Sequence, residues 1–193
     1  MLVSVSQETA RAEAFTINVD EQPYGMNEYI GASPVPGSPN YGKDVVGEAV
    51  PQAYLVEQPP RSTTRPHFHQ TNQFQLFVGG TGRLGKQRVD PVTVQYAGGN
   101  TPYGPIFAED AGVAYFTLRQ RWDSGAKYLP ERRDLLDRGH QRQRVGRASQ
   151  VFPSGVFGEE ILIPAEDDGL LVARYVLPPG EILEGPDGSA AGG

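Results

Sequence analysis

The sequence predicts an all-β protein, and three observations predict it. Glycine (24) and proline (17) exceed a fifth of the 193 residues, too many for a helical bundle and suited to short strands joined by turns. Several segments alternate polar and apolar residues with period two, rich in β-branched and aromatic side chains. A single stretch carries helix signals, and it is no longer than about three turns.

Residues 1–50 form an N-terminal arm with one or more first strands. Residues 15–19 alternate as Phe15, Ile17 and Val19 against Thr16 and Asn18, a strand pattern. From 23 to 47 the chain is dense in Gly, Pro, Asn and Ser, and includes Pro34-Val35-Pro36-Gly37. Helix cannot run through it, so it is expected as an irregular extended arm on the barrel or on a partner subunit. Residues 51–125 form the barrel core. A strand over 53–57 is closed by Pro59-Pro60, and Pro66 leads into a strand holding His67 and His69. Further strands are expected at 73–78, ending at Gly79-Gly80, at 89–96 and at 113–121. Residues 126–150 hold the short helix and a loop rich in arginine. Pro130 suits a first helical position, Leu135-Leu136 form an apolar edge, and Gly139 ends the helix after Arg138. Residues 151–184 form a C-terminal hairpin that completes or extends the barrel. Its strands, 160–163 and 170–177, flank Glu166-Asp167-Asp168-Gly169, where Asp-Gly is a strong turn signal. The tail 185–193 is expected to be disordered.

The net charge of −6 and pI near 5.1 favour solubility and disfavour a nucleic-acid partner. There is no cysteine, so no disulfide framework or thiolate ligand exists. The first eight residues lack the pattern of a signal peptide, and no apolar run approaches about 18 residues. A cytoplasmic protein without membrane contact is the expectation.

Two of the three histidines stand in Pro66-His67-Phe68-His69. Residues two apart on a strand face the same way, so both imidazoles are presented together, and Gln73 can join them from the next strand. A metal site or a small-molecule pocket in a β-barrel follows from that grouping. If the Gln73 face is the interior, Gln75 lines the pocket and Phe77 closes its far end. On the 113–121 strand, Tyr115, Thr117 and Arg119 share one face and Phe116 and Leu118 the other, with the inner face undecided.

The spacing His67-x-His69-x3-Gln73, then Gly80, resembles the first motif of the cupin superfamily. The second motif is matched by Val94–Pro105 in a degenerate form, with Tyr103 where the family has a histidine. The resemblance covers roughly residues 53–123. It implies a jelly-roll β-barrel with His67, His69 and Gln73 as metal ligands and Tyr103 as a catalytic and substrate-binding group. Strand alternation, with the Gln73 face inward, adds Gln75 and Phe77 as substrate-binding residues. Two imidazoles and an amide suit Fe, Mn, Ni, Cu or Zn. Gln73 replaces a carboxylate with a neutral oxygen, which lowers affinity for a divalent ion.

Two motifs are set aside. Gly80-Thr81-Gly82-Arg83-Leu84-Gly85-Lys86 resembles a nucleotide loop, but strand-like residues follow it where a helix is required. The six arginines within 132–147 lack interleaved aromatics in a net acidic chain, so they are expected as a solvated loop or subunit-contact arm.

The expectation is a divalent-metal-dependent enzyme of dioxygenase, isomerase or cyclase type acting on a small organic substrate. The alternative is a non-catalytic small-molecule-binding barrel with a degenerate metal site. Metal-free acid–base catalysis by a histidine and Tyr103 is a third scheme. A homodimer is expected, because edge strands in such folds are covered.

Overall fold

The computed structural model describes residues 5–31, 33, 35, 37–41 and 50–183. The tail expected to be disordered, and part of the expected arm, lie outside the described residues. The described elements run α1 (Gln7–Ala12), β1 (Phe15–Val19), β2 (Gln22–Ile30), β3 (Gln52–Gln58), β4 (Thr63–Thr64), β5 (His67–Phe68), β6 (Gln73–Leu84) and β7 (Gln87–Val89). They continue with β8 (Thr93–Ala97), β9 (Ile106–Arg119), β10 (Lys127–Tyr128), a 3-10 turn (Arg133–Leu135), β11 (Gln143–Arg147), β12 (Gly158–Ile163) and β13 (Val172–Val176). The chain divides into two units, Met1–Arg147 and Ala148–Gly193.

The first unit is an all-β jelly roll. Its main sheet has the order β1-β2-β3-β9-β6-β8-β11, with β4 added to β9 and β7 to β6. β5 pairs with β10, and all these pairings are antiparallel. The long strands β6 and β9 are its spine. β9 pairs with β4 through its first residues and with β3 through its last; β6 pairs with β8 first and β7 last. Register shifts at Phe77/Gly79 and Gly80/Gly82 bend the pair. At the bend Gly80 has φ +67°, and a β-carbon there would run into the Gly112 carbonyl.

The register stacks inward-facing residues in rows. One row runs Tyr54, Thr117, Gln75, Gln95 across β3, β9, β6 and β8. The next runs Val56, Tyr115, Phe77, Thr93, and its first three residues belong to the apolar core with Tyr24, Met26 and Ile106. One step the other way, Gln52 opposes Arg119 beside Gln73. The interior is therefore graded from apolar to polar along the strands.

Several expectations need correction. The irregular arm contains β2, which bridges β1 and β3. Tyr24 and Met26 are its buried inward residues, a period-two signal that its Pro, Gly and Asn residues obscure. The helix expected from Pro130 to Arg138 is one 3-10 turn without a side-chain cap or a buried residue, so nothing there rewards a longer helix. The short α-helix is instead α1, whose Ser6 side chain accepts from the Thr9 amide at 3.1 Å. The Arg-rich loop contains β11, an edge strand on β8. Its polar faces disguise it, as charged residues on an edge do. β6 continues through Gly79-Gly80 to Leu84, and β9 begins at Ile106 rather than near 113. The nucleotide-loop look-alike is thus the end of β6 and its turn into β7.

In the second unit β12 and β13 pair in a sheet of their own, and the Glu166–Gly169 turn closes with Gly169 N donating to Glu166 O at 2.9 Å. Among the described residues no helix is long and apolar enough to cross a membrane.

Candidate functional site

The site lies at the polar end of the barrel interior. β5 is short, but it sets the geometry: His67 N donates to Tyr103 O at 3.1 Å and Tyr103 N donates to His67 O at 3.0 Å. That bridge places the phenol against the imidazole, with ring centroids 4.5 Å apart. The His67 and His69 rings sit 5.4 Å apart and nearly perpendicular. His67, His69, Gln73, Gln75 and Tyr103 are all buried. Alternation groups His67 with His69 and Gln73 with Gln75, and the isolated bridge to His67 brings Tyr103 among them.

The hydrogen bonds run in one direction. His67 Nδ1 lies 2.8 Å from the Arg65 carbonyl, so it carries the proton and Nε2 the lone pair. Tyr103 then donates its hydroxyl to that Nε2, 2.9 Å away. Gln73 Nε2 donates to the Tyr103 oxygen at 2.5 Å, while Gln73 Oε1 accepts from Arg119 Nε at 3.1 Å and Nη2 at 2.9 Å. His69 Nδ1 donates to Asp123 Oδ1 at 2.7 Å. Arg119 Nη2 lies against that ring, 3.0 Å from Nδ1 and 3.2 Å from Nε2, over the ring and off the axis of the Nε2 lone pair. Arg119 Nη1 donates to Tyr54 Oη at 2.8 Å and Gln52 Oε1 at 3.0 Å. All five guanidinium N–H groups are thereby used.

Burial sets the protonation states. It lowers His67 to about 4, with the Arg119 charge adding to it, and lowers His69 to about 3, again with Arg119 adding and Asp123 opposing. Both rings are neutral at pH 7. Burial pushes the Tyr103 phenol up, and the Arg119 charge and the Gln73 bond only partly offset this. Burial also pushes Asp123 up, but the hydrogen bond from His69 and the charge of Arg119 outweigh it. Asp123 also accepts from the Gln70 and Thr71 amides and ends well below the usual carboxylate range.

Beside this network lies a cavity of about 520 Å³. His67, His69, Tyr103 and Arg119 form its polar wall; Tyr24, Met26, Val56 and Tyr115 its apolar wall; Ile17, Val19 and Tyr128 also line it. Gln75 lines it too and accepts from Gln95 Nε2 at 2.8 Å. Phe77 sits apart from that wall, fully buried in the apolar core with its ring 5.2 Å from Tyr115.

Sequence reasoning missed four members. Arg119 shares its strand face with Tyr115 and Thr117, and that face proves to be the inner one. Gln52 and Tyr54 reach Arg119 through the β3–β9 register. Asp123 follows β9 and meets His69 across 54 residues, without any local signal.

The donor set can be tested against a divalent metal. The tautomers suit one, because both Nδ1 atoms donate to acceptors and both Nε2 lone pairs remain. The positions around them are filled: Tyr103 donates to His67 Nε2, two Arg119 N–H groups to Gln73 Oε1, and the guanidinium lies 3.2 Å from His69 Nε2. A dication sharing these atoms with a guanidinium would meet repulsion on the order of 8 kcal/mol at roughly 4 Å and an effective dielectric near 20. Among the described residues no three His, Cys, Asp or Glu side chains group as metal ligands. As arranged, the residues do not fit a divalent ion.

No family model matches the chain, and no curated protein matches it by sequence. Solved structures similar to it include KdgF from Halomonas sp., at 15% identity and TM-score 0.43 over 63% of this chain and 96% of that one. Bacillus subtilis oxalate decarboxylase, a protein with Mn(II) centres, is similar at 12% identity and TM-score 0.43 over 61% of this chain and 31% of that one. Vicilin from Corylus avellana (hazelnut) is similar at 11% identity and TM-score 0.40, over 60% and 34%. The chain thus spans about a third of the latter two. Likenesses this distant assign no activity, metal or partner to it.

Proposed function

We propose that this chain is a cupin-type barrel that binds a small organic molecule in its cavity, and that its chemistry there is proton transfer through Tyr103 and His67. The observation that carries the reading is the cavity of about 520 Å³, apolar on one side and bounded on the other by a directed chain of hydrogen bonds. Its volume lies within the usual range for ligand sites, roughly 300–1,000 Å³. A ligand with an aromatic or aliphatic body would rest on Tyr24, Met26, Val56 and Tyr115 and turn a polar group toward Tyr103.

The proton inventory at that point is simple. As the Tyr103 oxygen takes a proton from a bound molecule, its own proton passes to His67 Nε2. The reverse transfer returns a proton to the product, and His67 ends neutral. His67 Nδ1–H stays on the Arg65 carbonyl throughout, which fixes the tautomer. Gln73 holds the phenol oxygen in place by its N–H.

A divalent-metal-dependent enzyme of dioxygenase, isomerase or cyclase type is the second reading. The two anchored Nδ1 atoms favour it, but it requires Tyr103 to leave His67 Nε2 and Arg119 to leave Gln73 Oε1 and the His69 ring.

The test is a ligand-detected NMR screen of aromatic and aliphatic hydroxy acids and ketones against the full chain. The reading expects binders with Kd below roughly 1 mM whose binding is lost when Val56→Trp fills the cavity. Turnover of any of them should survive chelators and disappear in Tyr103→Phe. Absence of any binder sensitive to Val56→Trp would defeat the binding reading, and turnover abolished by chelators would favour the metal.

A further inference from the structure

We infer that the guanidinium of Arg119 is the resident cation of this site, holding the Gln73 oxygen and lying against the His69 ring that a divalent metal would need, and thereby keeping such metals out. This goes beyond the small-molecule reading and does not depend on it.

The first support is the accounting of donors. Gln73 Oε1 accepts two Arg119 N–H groups, and a third lies against the His69 ring, with Nη2 3.0 Å from Nδ1 and 3.2 Å from Nε2. The remaining two go to Tyr54 and Gln52 on β3, so the side chain is anchored from two strands and is only 4% exposed. The second support is the identity of Gln73. Its oxygen accepts from Arg119 while its nitrogen donates to Tyr103. A carboxylate has no donor for that second bond, so the amide suits a guanidinium-centred network rather than a weakened metal centre. The third is charge. Asp123 supplies one negative charge: it accepts from His69 Nδ1, and the guanidinium lies against the same ring, Nη2 3.0 Å from Nδ1 and 3.2 Å from Nε2. One cation and one anion thus already meet at a neutral imidazole, and a further dication would leave the buried cluster strongly positive.

The test uses untagged full-length protein and Zn²⁺ or Co²⁺ alone as probes. Wild type should take up less than about 0.1 equivalent of either ion in equilibrium dialysis at micromolar concentration, and Co²⁺ should give no ligand-field bands. Removing the guanidinium with Arg119→Met, its fold checked by circular dichroism, should tighten binding by at least ~100-fold and be reversed by adding His67→Ala and His69→Ala. Stoichiometric uptake by wild type that is lost in His67→Ala overturns the inference. So does a folded Arg119→Met protein that gains nothing. Should Arg119→Met fail to fold, imidazole ¹⁵N shifts of wild type decide it: His67 and His69 unmoved by excess Zn²⁺ supports the inference, and a coordination shift on either Nε2 overturns it.

Discussion

Acid should weaken this fold through its two buried histidines. His67 is held at about 4 and His69 at about 3, both against 6.5 for a free histidine, chiefly by burial. In the folded protein the rings are neutral at pH 5 to 6, whereas in the unfolded chain they are mostly protonated there. Unfolding therefore takes up protons, and stability rises with pH wherever the unfolded state holds more of them. The contribution is complete above about pH 6.5 and is lost as pH falls, ring by ring, until about 4 and then about 3. Each unit below 6.5 costs about 1.4 kcal/mol per ring, so near pH 5 the loss is about 2 kcal/mol each and roughly 4 kcal/mol together. Urea unfolding at several pH values between about 7.5 and 5 measures it as the slope of free energy against pH. The expected uptake near pH 5.5 is close to two protons. An uptake well below one, or folded-state NMR titrations of both rings near 6.5, would show that the imidazoles are neither desolvated nor locked in the described bonds.

Three further outcomes follow from the packing. Tyr103→Phe removes the hydroxyl between Gln73 Nε2 and His67 Nε2, and should cost about 1–3 kcal/mol in urea unfolding while leaving circular dichroism unchanged. Phe77→Ala empties a fully buried site against Tyr115 and should cost about 3–5 kcal/mol by the same measurement. Gly80→Ala combines a left-handed backbone with a β-carbon driven into the Gly112 carbonyl, and should lower stability by at least about 2 kcal/mol; a neutral result would place the bend of β6 elsewhere.

Strand alternation made half of the site legible. His67 and His69 are two apart, and Gln73, Gln75 and Phe77 share a face, so local periodicity alone groups them. Arg119 shows where that reasoning stops. Both faces of its strand carry an aromatic residue, Tyr115 on one and Phe116 on the other, so composition does not select the inner one. The selection comes from register: Tyr54 opposes Thr117 and Val56 opposes Tyr115, pairings made across a sequence gap of about sixty residues. Asp123 is beyond local reasoning for the same cause. The missed strands have another one. β2 hides its inward Tyr24 and Met26 among turn-forming residues, and β11 is an edge strand whose side chains are mostly polar. The short helix was misplaced because its expected site at 130–138 has capping residues but no face to bury, while the Ser6 cap starts a helix that buries Ala10.

Gln73→Glu separates a guanidinium-centred network from a degenerate metal centre in one substitution. The carboxylate would still accept from Arg119, now as an ion pair, so folding should be retained. It has no N–H for Tyr103, so the phenol would be drawn to donate to the new carboxylate instead of to His67. His67 Nε2 would then lose its donor and gain a nearby negative charge. Both changes favour the protonated ring, against the burial that now holds it near 4. An upward shift of at least about one unit in the His67 midpoint is expected, with Arg119 keeping it from rising further. Imidazole ¹⁵N chemical shifts followed against pH would measure it. A His67 midpoint unchanged by Gln73→Glu would mean that Tyr103 does not relay the state of residue 73 to the histidine, and the directed chain from Arg119 to Arg65 would have to be abandoned.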